Sequence, residues 1–159
     1  MFAITQTIWQ GPFESPKRLP DLRSAGITHI LNVGEAPNLL RVEDGPFVEI
    51  AWCPVDDLER IPDEVAQTCI NTLHRMACCD GSKIYIHCIA GWNRSPTVLW
   101  LYLVACGLES SAAKELICGR NLDAIPGHSH LVDVELVKLI QEHGKGFQPH
   151  PRPIVLEAA

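Results

Sequence analysis

The sequence contains no C-x-x-C pair, although seven of its 159 residues are cysteine. They stand at 53, 69, 78, 79, 88, 106 and 118, an odd number without the paired spacings of zinc sites or the even framework of a disulfide-stapled domain. Excess positive charge is missing too. Thirteen lysines and arginines against nineteen acids leave a net −6, which argues against broad nucleic-acid binding and against attraction to anionic membranes. No apolar run approaches the roughly 18 residues of a membrane span. Met1 to Gln10 has neither a basic start nor a long apolar stretch, so no secretory signal is expected. Internal repeats, low-complexity blocks and a dividing linker are absent as well. Glycine (11) and proline (12) are at ordinary usage, which sets aside disordered and fibrous classes. The expectation is a chain of the reducing cytoplasm, its cysteines mostly small buried hydrophobes.

What is present is enough for one core: 47% apolar residues at a mean hydropathy of +0.07. Short β-favouring runs alternate with helical patterns. Ala3 to Trp9 reads as a strand, Ser15-Pro16 opens a helix ending near Gly26, and Thr28 to Val33 and a run within Phe47 to Val55 read as strands around a polar loop. Pro62 starts an amphipathic helix with Val65, Ala66, Cys69, Ile70, Leu73, Met76 and Ala77 on one face. Lys83 to His87 is a further strand, and Val98 to Val104 is apolar all round, as a buried helix would be. Two more helices are expected, about Ser110 to Cys118 and Ser129 to His143. This pattern predicts an α/β fold, a single central mixed sheet of about four to five strands flanked by helices. Residues 1–143 are expected to form the domain, and 144–159, with three prolines, an extended or loosely packed tail.

One stretch carries chemistry: Ile84-Tyr85-Ile86-His87-Cys88-Ile89-Ala90-Gly91-Trp92-Asn93-Arg94-Ser95-Pro96. An apolar strand runs into Cys88, Arg94 follows at C-x5-R spacing, and Ser-Pro opens the apolar helix. A strand, a tight loop and a helix N-terminus make an anion site, because free backbone N–H groups and the helix dipole point into the loop. Arg94 adds a planar fork for two phosphate oxygens, and the same positive field favours a thiolate at Cys88. His128 and His130 form an H-x-H with no further ligand spacing, so neither a metal nor another cofactor is expected.

His87 to Ser95 (HCIAGWNRS) resembles the signature loop of the cysteine-dependent protein tyrosine phosphatase superfamily, in its small dual-specificity branch. Trp9 to Gly11 and Leu22 to Val33 (LRSAGITHILNV) are similar to that branch's opening strand and its L-x-x-x-G-I-T-H-V-L-N segment. The likeness extends over about residues 3–142. It implies a dual-specificity phosphatase-like fold and hydrolysis through a phosphocysteine. Cys88 would be the nucleophile, and Arg94 with the backbone of Ile89, Ala90, Gly91, Trp92 and Asn93 would hold the phosphate. Ser95 would donate to the thiolate, and His87 would support the loop. The family's general acid lies about thirty residues earlier. There the aspartates Asp56 and Asp57 compete, and the family pattern favours Asp57, 31 residues before Cys88.

A phosphorylated protein is the implied partner, with phosphotyrosine the main group and phosphoserine or phosphothreonine also in range. The loop interior carries no lysine, which disfavours polyphosphorylated lipids. Gly91-Trp92-Asn93-Arg94 is also similar to the loop of RNA 5′-phosphatases of the capping-enzyme type, and a non-catalytic phosphoprotein-binding domain is the other alternative. Where the family often carries Pro-Asn to support the loop, this chain has Pro126-Gly127-His128-Ser129, so that support is missing or differently supplied. Cys53, close to the acid segment, is a candidate reversible disulfide partner for Cys88.

Overall fold

The computed structural model describes residues 1–159. Five strands form one sheet: β1 (Phe2–Ala3), β2 (Ile8–Gly11), β3 (His29–Asn32), β4 (Glu49–Trp52) and β5 (Ile84–His87), in the order β1-β2-β5-β3-β4. Only β1 runs antiparallel to its neighbour; β2, β5, β3 and β4 are parallel. The helices are α1 (Leu19–Ser24), α2 (Asp63–Ala77), α3 (Arg94–Ala105), α4 (Ser110–Cys118), α5 (Val134–Gly144) and α6 (Arg152–Val155). The α/β layer architecture and the single mixed sheet agree with the expectation.

Central β5 pairs on both sides and is buried throughout, as the continuous apolar run of a parallel strand requires. Its side chains alternate between two cores. Ile84 and Ile86 join the large cluster with Leu31 and the α2, α3 and α5 residues, whereas Tyr85 joins Leu22, Ile27, Ile30, Leu40 and Phe47 on the other face. Every residue of α3 is buried, as its uniformly apolar sequence implies. No helix is long and apolar enough to cross a membrane.

Four local expectations change. Ala3 to Trp9 is a tight hairpin rather than one strand: Thr5 Oγ1 accepts from the backbone N–H groups of Thr7 and Ile8, turning the chain between β1 and β2. The first helix begins as a 3-10 turn, Pro16–Arg18, with no cap from the Ser15 side chain. The last long helix starts at Val134 rather than near Ser129, because Asp133 Oδ1 caps Leu136 N at 2.8 Å while 126–132 are taken up in turns. The tail is not loose. Phe147 stacks on His74 at 4.0 Å, Val155 is buried, and Thr5 bridges to Ala158, because the tail carries apolar side chains that complete the α2–α3–α5 face. Among the cysteines, Cys69 and Cys106 are core, but Cys79, just beyond the end of α2, is exposed.

Candidate active site

All four parallel strands aim their C-terminal ends at one place. β2 delivers Gln10 and leads to Glu14, β3 leads to Glu35, β4 to Asp57, and β5 to Cys88. Ligand sites of open α/β sheets lie outside such strand ends for topological reasons. The loop Cys88–Asn93 closes directly onto α3, whose first residue is Arg94.

Gly91 makes the loop tight. Its φ is +78°, and a Cβ there would stand 2.6–2.7 Å from the backbone of Gly11 and Pro12. Phe13 N donates to Ile89 O (2.8 Å), and Ile125 N to Trp92 O (2.7 Å), so neighbouring segments hold the loop through its carbonyls. Cys88 is 2% exposed, and its Sγ lies 3.3 Å from Ser95 Oγ. Arg94 is 6% exposed. Its guanidinium pairs with the Glu35 carboxylate, donates from Nη1 to Val55 O at 3.4 Å, and places Nε 3.8 Å from Asp57 Oδ1. Arg94 Nε, Asp57 Oδ1 and Asn93 Oδ1 are buried atoms with no hydrogen-bond partner. Buried polar atoms are ordinarily paired, so this corner has an unused donor (Arg94 Nε) and an unused acceptor (Asp57 Oδ1) for a ligand.

The structure separates the two aspartates. Asp56 turns its Oδ1 back onto Leu58 N at 2.8 Å in an Asx turn, whereas Asp57 faces Arg94 and the loop. A cavity of about 230 Å³ is lined by Cys88, Ile89, Ala90, Trp92, Asn93, Arg94, Asp57 and Glu35. A second, of about 570 Å³, shares Arg94, Asp57 and Glu35 and extends along 54–58. Trp92 is 55% exposed at the rim and Ile89 is 38% exposed. The site residues expected from the sequence are therefore brought together, with Ser95 and His87 behind the loop. Cys53 is not among them. Its thiol meets Thr72 Oγ1 at 3.8 Å, and Cys69 Sγ donates to Cys53 O at 3.8 Å. The neighbouring Cys69 thiol, outweighing burial, holds the Cys53 thiol down to about 6, and Cys69 is pushed up correspondingly.

Four residues of the site carry no motif in the sequence. Glu35 opens the loop after β3, and its carboxyl is held low by its hydrogen bond from Arg94. Glu14 is fully buried, accepts at Oε1 from Leu39 N (3.0 Å) and Leu40 N (3.3 Å), and sets Oε2 3.7 Å from His87 Nε2. Burial raises Glu14 against the pull of those two amides, and burial lowers His87 to about 4. His87 Nδ1 lies 3.1 Å from Cys88 O, an acceptor only, so Nδ1 bears the proton of a neutral ring. Finally, Gln10 Nε2 donates to Gly91 O (2.8 Å) and Ser95 Oγ (2.9 Å), while Asn121 Nδ2 donates to Gln10 Oε1 (2.8 Å) and Gly91 O (3.3 Å). These two amides supply the loop support that the absent Pro-Asn left open. No periodicity or motif marks them.

The sequence profile of the dual specificity phosphatase catalytic domain matches residues 8–130. Human dual specificity protein phosphatase 15 is 33% identical over 100 residues, 61% of this chain and 32% of that protein. Protein tyrosine phosphatase type IVA 3 of Bos taurus is 28% identical over 109 residues, 67% of this chain and 62% of that one. The match thus spans about a third of the first relative and less than two thirds of the second. A crystal structure of DUSP15 superposes at a TM-score of 0.67 with 26% identity, covering 95% of this chain and 92% of that one. Human DUSP28, at 20% identity, shares the fold with a TM-score of 0.68 over 93% and 98%. With the profile match running from β2 into the turns before α5, the chain belongs to the dual specificity phosphatase family.

Proposed function

We propose that the chain hydrolyses phosphate monoesters through a phosphocysteine intermediate, with protein phosphotyrosine as its main substrate and phosphoserine or phosphothreonine as lesser ones. The observation that carries this reading is the Cys88 sulfur at the floor of a pocket where a buried arginine keeps an unpaired N–H.

The Cys88 thiolate attacks phosphorus while the backbone N–H groups of Ile89 to Arg94 and the Arg94 guanidinium hold the equatorial oxygens. The phosphate takes over the guanidinium from Glu35. Asp57 gives its proton to the leaving oxygen as the P–O bond breaks. The carboxylate then takes a proton from water, whose oxygen attacks phosphorus. The S–P bond breaks, its electron pair returns to sulfur, and orthophosphate leaves. Ser95 stabilises the returning thiolate by a hydrogen bond, and His87 fixes the Cys88 carbonyl.

The electrostatics favour a single phosphate on an aromatic carrier. Arg94 is the only cation lining the two cavities, against the carboxylates of Glu35, Asp56 and Asp57, so additional phosphates meet repulsion. Exposed Trp92 and Ile89 offer an apolar flank to a phenyl ring. A panel of phosphotyrosine and phosphothreonine peptides, a phosphoinositide and a 5′-triphosphorylated RNA tests the reading, with Cys88→Ser as the blank. Highest kcat/KM on phosphotyrosine peptide is expected. Preference for the RNA or the lipid overturns the substrate assignment. No hydrolysis above the blank leaves a phosphoprotein-binding domain.

A further inference from the structure

Ser95 has one proton and two polar neighbours, the Cys88 sulfur at 3.3 Å and the Gln10 amide at 2.9 Å. Which of them receives the proton is decided further away. Gly91 O is a carbonyl and can only accept, so the Gln10 atom 2.8 Å from it must be nitrogen. At the opposite end, Asn121 Oδ1 accepts from Asp123 N at 3.2 Å, which leaves the Asn121 NH₂ facing Gln10. The Gln10 atom that receives it at 2.8 Å must be oxygen. Two independent constraints therefore give the same amide orientation.

In that orientation Gln10 directs one N–H to Gly91 O and the other to Ser95 Oγ. The Ser95 oxygen accepts on that side, and its own proton is left with the sulfur. Gln10 and Ser95 are fully buried and Asn121 is 3% exposed, so bulk water does not compete for these bonds. β2 and the segment just after α4 thereby set a hydroxyl rotor beneath the sulfur.

We propose that Gln10 and Asn121 are positioning residues that lock Ser95 as a donor to the Cys88 sulfur, acting chiefly on the step in which that sulfur leaves phosphorus. The inference rests on the phosphatase reading above for its kinetic form. In the second step water's oxygen bonds to phosphorus, Asp57 takes water's proton, the S–P bond breaks, and the electron pair arriving on sulfur meets the Ser95 O–H. In the first step sulfur loses charge, so a donor there brings no acceleration. Loss of the lock should therefore slow breakdown of the phosphocysteine and spare its formation.

Gln10→Met, similar in length and volume, removes the donor. With para-nitrophenyl phosphate, kcat is expected to fall about 10-fold, the scale of one hydrogen bond to a charged group. The value of kcat/KM stays within about threefold, because breakdown follows the first irreversible step. A pre-steady-state burst of nitrophenol grows accordingly. Gln10→Leu repeats the test should the methionine variant fold poorly. Ser95→Ala gives the same pattern, and Gln10→Met combined with Ser95→Ala is no slower than Ser95→Ala alone. Equal losses in kcat and kcat/KM without a burst, or additive losses in the double variant, overturn the proposal, since a merely loosened loop would do that.

A second readout needs no turnover. Iodoacetate labelling of the Cys88 peptide at one fixed, mildly acidic pH, followed by mass spectrometry, should be slower in both Gln10→Met and Ser95→Ala than in the wild-type chain, because the attacking thiolate has lost a hydrogen bond. The charged groups that share the cavity with this sulfur are unaltered by these changes: Arg94 from α3, and Asp57 and Glu35 from the loops after β4 and β3; His87, whose ring meets the Cys88 carbonyl, is neutral above about 4. Labelling that slows in Ser95→Ala but not in Gln10→Met contradicts the lock. A wild-type chain without turnover contradicts the phosphatase reading instead, and the labelling comparison then still decides the orientation of Ser95.

Discussion

Replacing Gly91 by alanine sets two penalties on one carbon atom, and Gly81 offers the means to separate them. Both glycines are left-handed, with φ of +78° and +69°. An L-residue held there costs roughly 1–2 kcal/mol. At Gly81 nothing lies within 4 Å of a Cβ, so strain is the whole cost. At Gly91 the Cβ would meet Gly11 C at 2.6 Å, Gly11 O at 2.7 Å and Pro12 N at 2.7 Å. Contact between carbons is comfortable at about 3.5–4.0 Å, so the loop or β2 must yield by about 1 Å. These neighbours are backbone atoms, and no side-chain rotation relieves the overlap. Overpacking of this kind adds about 1–3 kcal/mol. Gly81→Ala should thus destabilise by about 1–2 kcal/mol and Gly91→Ala by about 2–5 kcal/mol. The entropy that alanine removes from the unfolded chain is common to both and cancels in the comparison. Urea unfolding at pH 7 reads the stabilities, and turnover reads the geometry. A loop displaced by about 1 Å should lose on the order of 10² in kcat/KM, whereas Gly81→Ala keeps wild-type activity. An alanine at 91 that matches Gly81→Ala in stability and turns over normally would refute the close approach of loop and strand.

Asp57→Asn should slow hydrolysis of a phosphothreonine peptide by roughly 10²–10⁴, with a much smaller loss on para-nitrophenyl phosphate, whose leaving group needs no proton. Asp56→Asn keeps the Asx turn and stays near wild type; the reverse ranking in steady-state assays contradicts the placement of Asp57 beside Arg94. Glu35→Gln should tighten competitive inhibition by inorganic phosphate about 2–5-fold, the modest scale of a largely exposed ion pair, with no change counting against displacement of Glu35 by the substrate. Stability should depend on pH through His87. Its folded value of about 4 lies below the ordinary 6.5, so the unfolded chain binds the additional proton. The contribution is complete above about 6.5, is lost as pH falls towards about 4, and amounts to up to about 3 kcal/mol. Glu14, raised by burial, works in the opposite direction as pH rises above its ordinary range. Urea melts between pH 4 and 7 should show a shallower slope for His87→Asn than for wild type; parallel slopes exclude the buried neutral ring as the cause.

Much of the fold was legible wherever a local signal coincided with burial. Pro62 with Asp63 and Glu64 marks the start of α2, and its apolar spacing ends at Ala77 where the helix ends. The run from Ile84 to Pro96 fixes strand, loop and helix together because apolar strand, glycine and Ser-Pro each constrain the backbone there. The N-terminal hairpin was not legible, since β1 is two residues long and its turn uses Thr5 rather than glycine or proline. The tail misled because its prolines suggested looseness, while Phe147 and Val155 find apolar partners only once α2, α3 and α5 are assembled. In the site, Cys88, Arg94 and Ser95 sit within eight residues and announce one another. Gln10 and Asn121 are 111 positions apart, the first inside an apolar strand and the second in a turn, so only the folded chain pairs them. Glu35 and Glu14 read as ordinary loop acids, and their partners Arg94 and His87 lie far along the chain.

Trapping the intermediate tests the central claim most directly. Rapid acid quench of the wild-type chain turning over a phosphotyrosine peptide, followed by proteolysis and mass spectrometry, should place one phosphoryl group on the peptide containing Cys88. That adduct disappears in Cys88→Ser together with turnover. Hydrolysis that persists in Cys88→Ser, or a phosphoryl group found on another residue, would contradict a phosphocysteine mechanism at this loop.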